Sequence, residues 1–219
     1  MKREIIITSD GSTTIHIPAW NEQYHSKHGA IQEAYHVFIK SGLSLFKNKK
    51  ITILEIGFGT GLNCFITYLE AKKSDLTLDY VGVEAFPISN EELNQLNYVS
   101  ELNANQYSAI FDEMHSLPWE QNNSLDGEFS LCKRKQDFND IADKNSFDLV
   151  YFDAFGARVQ PELWGVEIFQ KMFDALKKGG VLVTYAAKGS VRRAMIEVGF
   201  KVEKLKGPPG KREMLRATK

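Results

Sequence analysis

With only two cysteines in 219 residues, Cys64 and Cys132, the chain has little scope for a disulfide framework or a thiolate metal site. They lie far apart and outside any CxxC pattern, so the expectation is two reduced core thiols in a cytoplasmic protein. Long apolar runs are missing too. No stretch approaches the roughly 20 residues of a membrane span, and a hydrophobic fraction of 43% is ordinary for a soluble globular chain. The opening "MKREIIITSDGS" reaches Asp10 and Gly11 too soon for the apolar region of a signal peptide. Repeats, low-complexity tracts and long linkers are also lacking, which leaves one domain with a sizeable core, or one domain and a small appendage. Net charge is almost absent at −1, yet residues 188–219 hold ten Lys/Arg against three Glu. That tail is either a basic docking face or a solvated surface of helix and strand.

From residue 51 onward, strand-like apolar runs alternate with helical patterns. Strands are expected at 51–56, 78–85, 128–135, 146–154, 180–186, 200–205 and 213–217. Helices are expected near 61–72, 89–97, 161–177 and 190–198, the third marked by Leu163, Ile168, Phe169, Met172, Phe173 and Leu176 at helical spacing. This alternation implies an α/β fold, a mostly parallel sheet covered by helices on both faces. Residues 1–50 differ and read as an N-terminal extension to a main domain at 51–219. "EIIITSDGSTTIHI" predicts a β-hairpin turning near Asp10-Gly11. A polar stretch with Tyr24, His25 and His28 follows, then a helix near 31–40. The polar stretch is either an exposed connection or a lid. His25, His28 and His36 do not form a zinc spacing, so no metal is expected.

"LEIGFGTGLN" follows the first strand of the alternating region and opens a helix. Gly57, Gly59 and Gly61 allow a sharp turn and close approach of a ligand to the main chain. The pattern is neither the dinucleotide fingerprint nor a P-loop. Glu55 beside it would repel a pyrophosphate and suits a cofactor carrying an ammonium group, as S-adenosyl-L-methionine does. Glu84 ends the next strand, where a carboxylate accepts both ribose hydroxyls, and Asp137 follows the third strand, placed to meet the adenine edge.

"LVYFDAF" closes an apolar run with a carboxylate between aromatic rings. Asp153 is placed as a group that orients an amine, accepts its N–H and stabilises the charge developing on nitrogen. Phe155 would flank a planar substrate. A mere helix cap is disfavoured because Pro161, where the next helix starts, is too far along. The stretch is similar, in shortened form, to the Asp/Asn-Pro-Pro-Tyr motif of amino-directed methyltransferases.

Taken together, "DGSTTIHIP", "EQYHSKHGAIQEAYHVFI", "EIGFGTGLN", "YFDAF…PELW", "YAAKGSVRRAMIEVGF" and "GPPGKREML" resemble the tRNA 5-methylaminomethyl-2-thiouridine biosynthesis methyltransferase family across nearly the whole chain. The resemblance implies a class I methyltransferase fold, Rossmann-like with a seven-stranded sheet of order 3-2-1-4-5-7-6. It also implies S-adenosyl-L-methionine as methyl donor and the 5-aminomethyl group of the wobble (2-thio)uridine, in the tRNA anticodon loop, as acceptor. By the same resemblance Tyr24 and Glu33 close the cofactor site. Phe155, Arg158, Lys188, Arg192, Arg193, Lys211 and Arg212 are expected on the substrate side, with Lys188, Arg192, Arg193, Lys211 and Arg212 meeting phosphates. Bifunctional relatives carry a flavin oxidase domain that this sequence does not include, so a functional partner is expected to supply the aminomethyl-uridine. "DAFGARVQP" departs from the family pattern at Gly156 and Arg158, where a more apolar turn is expected. Two other readings are a small-molecule amine methyltransferase of the same fold and a non-enzymatic RNA-binding or cofactor-sensing module.

Overall fold

The near-continuous apolar runs of the chain become strands buried on both faces, as parallel sheets require. The computed structural model describes residues 2–47, 50–74 and 76–219. Its central strands are β4 (Lys50–Ile56), β5 (Thr77–Val83), β7 (Phe129–Arg134), β8 (Phe147–Phe152) and β9 (Leu176–Thr184). They pair in parallel, with β4 between β5 and β8, β7 beyond β5, and β9 beyond β8. The antiparallel hairpin of β10 (Lys201–Lys206) and β11 (Glu213–Thr218) joins the β9 edge through β11. A short strand β6 (Asn122–Ser124) pairs antiparallel with β7. With β6 set aside, the order β7-β5-β4-β8-β9-β11-β10 is the expected 3-2-1-4-5-7-6, and β6 makes the sheet eight-stranded. The exposed edge β10 carries Lys201, Lys204 and Lys206, charges that discourage further strand addition.

One layer of core joins α2 (Leu62–Ala71), α5 (Ser108–Ser116) and the N-terminal helical segment to the sheet. It includes Phe38, Phe65, Tyr80, Phe111 and Tyr151, all at most 4% exposed. The other layer places Ile168, Phe169 and Met172 of α6 (Val166–Ala175), with Val191 and Met195 of α7 (Gly189–Glu197), against Leu54, Val150 and Leu182. Each fully buried large apolar side chain contributes roughly 1.5–3 kcal/mol of transfer free energy.

Before β4, β1 (Glu4–Ile7) and β2 (Thr13–Ile17) form the expected hairpin, with Glu4 opposite His16 and Ile7 opposite Thr13. A two-residue strand β3 (Glu22–Gln23) pairs on β2 and makes a three-stranded sheet. Helix α1 (Ala30–Ala34) continues through widened turns at Tyr35–Lys40. Asp10 ties the hairpin to this helix. Its Oδ1 accepts from Thr8 Oγ1 at 2.8 Å and the Ser12 amide at 3.1 Å, and its Oδ2 accepts from the Gln32 amide at 3.0 Å.

Several expected elements are shorter than their sequence patterns. The helix near 89–97 closes after α3 (Asn90–Leu93), held by a reciprocal Ser89–Glu92 capping box, and α4 (Tyr98–Glu101) follows separately. Residues 98–127, to which periodicity assigned no element, hold α4, α5 and β6. The pattern at 161–177 is broken at Gly165, whose extended backbone (ψ 175°) separates a 3-10 turn at Pro161–Trp164 from α6. β9 then starts at Leu176, earlier than its apolar run, because Leu176 itself is extended and pairs with Phe147.

Candidate active site

All the parallel strands end on the side where β4 separates its neighbours, which is where ligand crevices form in such sheets. Gly57 and Gly59 shape that edge. Gly57 has φ +89°, and a Cβ there would lie 2.7 Å from the Asp153 carbonyl oxygen, so only glycine lets the ends of β4 and β8 meet. The Asp153 amide then donates to Ile56 O at 2.9 Å. Gly59 has φ +51°, and its added Cβ would sit 3.2 Å from the ring of Tyr24. Gly61, the third glycine, precedes α2 with φ +72°. The Gly59 amide donates to Glu84 Oε2 at 3.0 Å, while Glu84 Oε1 accepts from the Phe86 amide at 2.8 Å. Two backbone amides thus fix the Glu84 carboxylate at the cleft and leave its other lone pairs available for a diol.

Glu55 lies deeper than the sequence suggested. It is 0% exposed, accepts from Asn63 Nδ2 at 2.9 Å and from the Tyr80 hydroxyl at 2.9 Å, and does not line the cleft. Burial pushes its carboxyl well above the usual range. Asn63, in the first turn of α2, comes between Glu55 and the cleft. Its Nδ2 donates both to Glu55 and, at 2.8 Å, to Asp153 Oδ2, while its buried Oδ1 has no partner among the described residues. Asp153 therefore sits at the end of a polar chain that runs Tyr80–Glu55–Asn63. Its carboxyl is raised to about 7, first by burial and then by the like charge of Glu33, and is drawn down by the Asn63 bond and the Lys211 charge. A carboxylate poised near neutrality can take and release a proton at working pH.

The N-terminal segment forms one wall. Tyr24 meets Phe155 edge-on with centroids 5.0 Å apart, and Trp20 meets Phe155 at 5.4 Å. Glu33 is 7% exposed; its Oε2 accepts from the Ser26 amide at 2.8 Å and its Oε1 from Lys211 Nζ at 2.5 Å. Lys211, expected to meet phosphate, is engaged here with Glu33. Its ammonium turns into the cleft, where a buried Glu33 needs a cation, and rests 3.8 Å from the Tyr185 ring centroid. Arg158 is also placed otherwise. It donates to Trp20 O at 2.7 Å, Asn21 O at 3.1 Å and Glu22 Oε2 at 2.9 Å, pinning the N-terminal strap from outside the cleft. Asp137 lies at the exposed rim, its Oδ1 occupied by the Asn139 amide at 2.8 Å. Lys188, Arg193 and Arg212 are exposed and Arg192 half-buried; none lines the cleft, and none is ion-paired with another described residue. Lys188 and the start of α7 follow β9 at the same end of the sheet as the cleft.

These walls enclose a cleft of about 1400 Å³. Sequence reasoning missed Asn63 and Tyr185 there. Asn63 closes the glycine motif itself, "GTGLN", and was readable as a polar residue where a buried helix begins. Tyr185 ends an apolar strand, as Asp153 does, and its hydroxyl donates to Ala154 O at 2.7 Å.

A family model described as S-adenosyl-L-methionine-dependent methyltransferase matches residues 94–219. The chain belongs to that family. Among curated relatives, the tRNA 5-methylaminomethyl-2-thiouridine biosynthesis bifunctional protein MnmC of Delftia acidovorans is 30% identical, over 93% of this chain and 33% of its own length. That of Idiomarina loihiensis is 29% identical, over 90% of this chain and 35% of its own length. This methyltransferase chain therefore spans about a third of the length of the curated relatives it matches. Among solved structures, MnmC2 from Aquifex aeolicus is 26% identical with a TM-score of 0.76, over 99% of this chain and 70% of that one. Spermidine synthase from Thermotoga maritima shares the fold, with a TM-score of 0.53 at 15% identity.

The residues present fit the cofactor that the family implies. Glu84 offers fixed acceptors for a ribose diol, and Asn63 Oδ1 is an unpartnered acceptor. Ala85, Phe86 and Phe138 give the rim an apolar surface for an aromatic base.

Proposed function

We propose that this chain transfers a methyl group from S-adenosyl-L-methionine to the 5-aminomethyl nitrogen of the wobble (2-thio)uridine in tRNA, giving 5-methylaminomethyl-(2-thio)uridine. The observation that carries the reading is Asp153, a half-buried carboxylate just past the end of β8 that lines the cleft beside the glycine loop and is raised to about 7. The relatives named for tRNA 5-methylaminomethyl-2-thiouridine biosynthesis support the same acceptor.

Glu84 would hold the ribose, Gly57 and Gly59 would admit the cofactor close to the main chain, and Tyr24 would close over it. When bound, the cofactor supplies an electrophilic methyl group, its C–S bond breaking as the N–C bond forms and the electron pair leaving with sulfur. Asp153 receives the amine, aligns its lone pair and takes the surplus proton from nitrogen. Asn63 fixes the rotamer of Asp153, and Phe155, Tyr24 and Tyr185 keep water from the reacting atoms. The exposed Lys188, Arg193 and Arg212, with Arg192, would meet anticodon-loop phosphates. Residues 1–50 act in this reading as an extension that completes the site of the main domain, in the cytoplasm, downstream of an enzyme that exposes the primary amine.

The test incubates the purified chain with S-adenosyl-L-methionine and an anticodon stem-loop carrying 5-aminomethyluridine, followed by mass analysis of the nucleosides. A gain of one methyl on the modified uridine is expected. No gain on the stem-loop, with free small amines methylated instead, would move the reading to a small-molecule methyltransferase.

A further inference from the structure

Lys211 carries a charge into the cleft that the methyl transfer described above does not require, and the fold holds it in place. The Lys211 amide donates to Pro208 O at 2.9 Å, and the Gly207 amide donates to Arg212 O at 3.1 Å, which closes a tight turn. A Cβ on Gly210 would strike the His28 ring, so this turn interlocks with the N-terminal segment. The ammonium contacts Glu33 Oε1 at 2.5 Å and the face of Tyr185 at 3.8 Å. These contacts engage two of the three N–H donors that an ammonium has. The third has no partner among the described residues, and Lys211 lines the cleft together with Asp153.

Consider an amine on a methylene at the 5-position of a pyrimidine. The ring carbon beside its attachment point bears the 4-substituent, so an amine held by Asp153 keeps that substituent within a few ångströms of the amine, inside the cleft that Lys211 also lines. Two further donors that line the cleft are committed elsewhere: the Tyr185 hydroxyl to Ala154 O, and Asn63 Nδ2 to Glu55 and Asp153. We propose that Lys211 donates to the 4-carbonyl oxygen of the acceptor base, making the site selective for a 4-oxo pyrimidine (uracil) over a 4-amino one (cytosine). A 4-amino group would set N–H against N–H and leave the ammonium unpaired, the kind of mismatch that discriminates strongly in a site built around a hydrogen bond. This selectivity rests on the acceptor being a 5-aminomethyl pyrimidine.

The experiment compares single-turnover methyl transfer to two anticodon stem-loops, one with 5-aminomethyluridine and one with 5-aminomethylcytidine at the wobble position. Wild type, Lys211→Met and Lys211→Arg are measured, with S-adenosylhomocysteine binding as a check of folding. Wild type should favour the uridine loop by at least ~100-fold. Lys211→Met should slow the uridine loop on the order of 10–100-fold and the cytidine loop much less, so the ratio collapses, whereas Lys211→Arg should keep most of it. A Lys211→Met variant slowed equally on both loops would show a merely structural lysine and overturn the proposal, as would a wild type without preference. A wild type inert on both loops would instead overturn the acceptor reading and this inference with it; a failure of selectivity alone leaves wild-type turnover intact. Should Lys211→Met not fold, Lys211→Gln carries the same comparison, and an unchanged ratio there also overturns the proposal.

Discussion

Asp153 is held near a pKa of about 7 because burial and Glu33 raise it while Asn63 and Lys211 draw it down. In the proposed mechanism the ionised form receives the amine, so single-turnover methyl transfer should rise with pH through about 7 and continue to rise as the amine sheds its own proton. Asp153→Ala should lower that rate by a hundredfold to a thousandfold, on the order of 3–4 kcal/mol, with little change in S-adenosylhomocysteine affinity. Asp153→Asn keeps an acceptor without the charge and should fall between the two. A near-normal Asp153→Ala rate would leave the carboxylate without a catalytic role. Asn63 belongs to the same residue-scale unit: its Nδ2 is committed to two carboxylates, and its buried Oδ1 has no partner among the described residues.

The wall of the cleft depends on elements that are distant in sequence. Asp10 helps to hold the β1–β2 hairpin at the site by joining its turn to the start of α1, and α1 presents Glu33 to Lys211. Asp10→Ala should therefore lower stability by about 1–3 kcal/mol, since it leaves the Ser12 and Gln32 amides without their acceptor. The measurement is the urea midpoint at unchanged m-value, together with a fall in S-adenosylhomocysteine affinity as the Tyr24 wall loosens. Affinity that holds while the midpoint drops would separate the hairpin from the site. A corresponding lock exists at Arg158, where one guanidinium gathers the Trp20 and Asn21 carbonyls and the Glu22 carboxylate.

Across the whole molecule, charge is sorted by place. Arg192, Arg193 and Arg212 belong to the basic tail and make no ion pair with a described residue, so reversing the three to Glu should weaken stem-loop binding and flatten its salt dependence while cofactor affinity persists. A salt slope identical to wild type would mean that this surface is only solvated. Buried titratable groups set the pH response of stability. Burial holds His25 and His115 down at about 4, below their unfolded value of about 6.5. Their folded pKa values are depressed, so the stability they contribute is complete above pH 6.5 and is lost as pH falls towards 4, at up to about 3 kcal/mol each. Asp153 has the opposite sign, because its raised pKa makes the ionised form a cost that is relieved as pH falls below 7. Asp153→Asn should accordingly be more stable than wild type at pH 8 and lose that advantage by pH 4, as read from urea midpoints across that range. Residue pattern alone was enough for the strand–helix alternation, the hairpin, the glycine loop after β4 and the acids at the ends of β5 and β8, because each is a local consequence of side-chain period and backbone freedom. The inward turn of Lys211, the retreat of Glu55 behind Asn63 and the use of Arg158 as a pin were not legible. Each depends on a partner far along the chain, and only folding decides whether a charge meets water, a phosphate or a buried carboxylate.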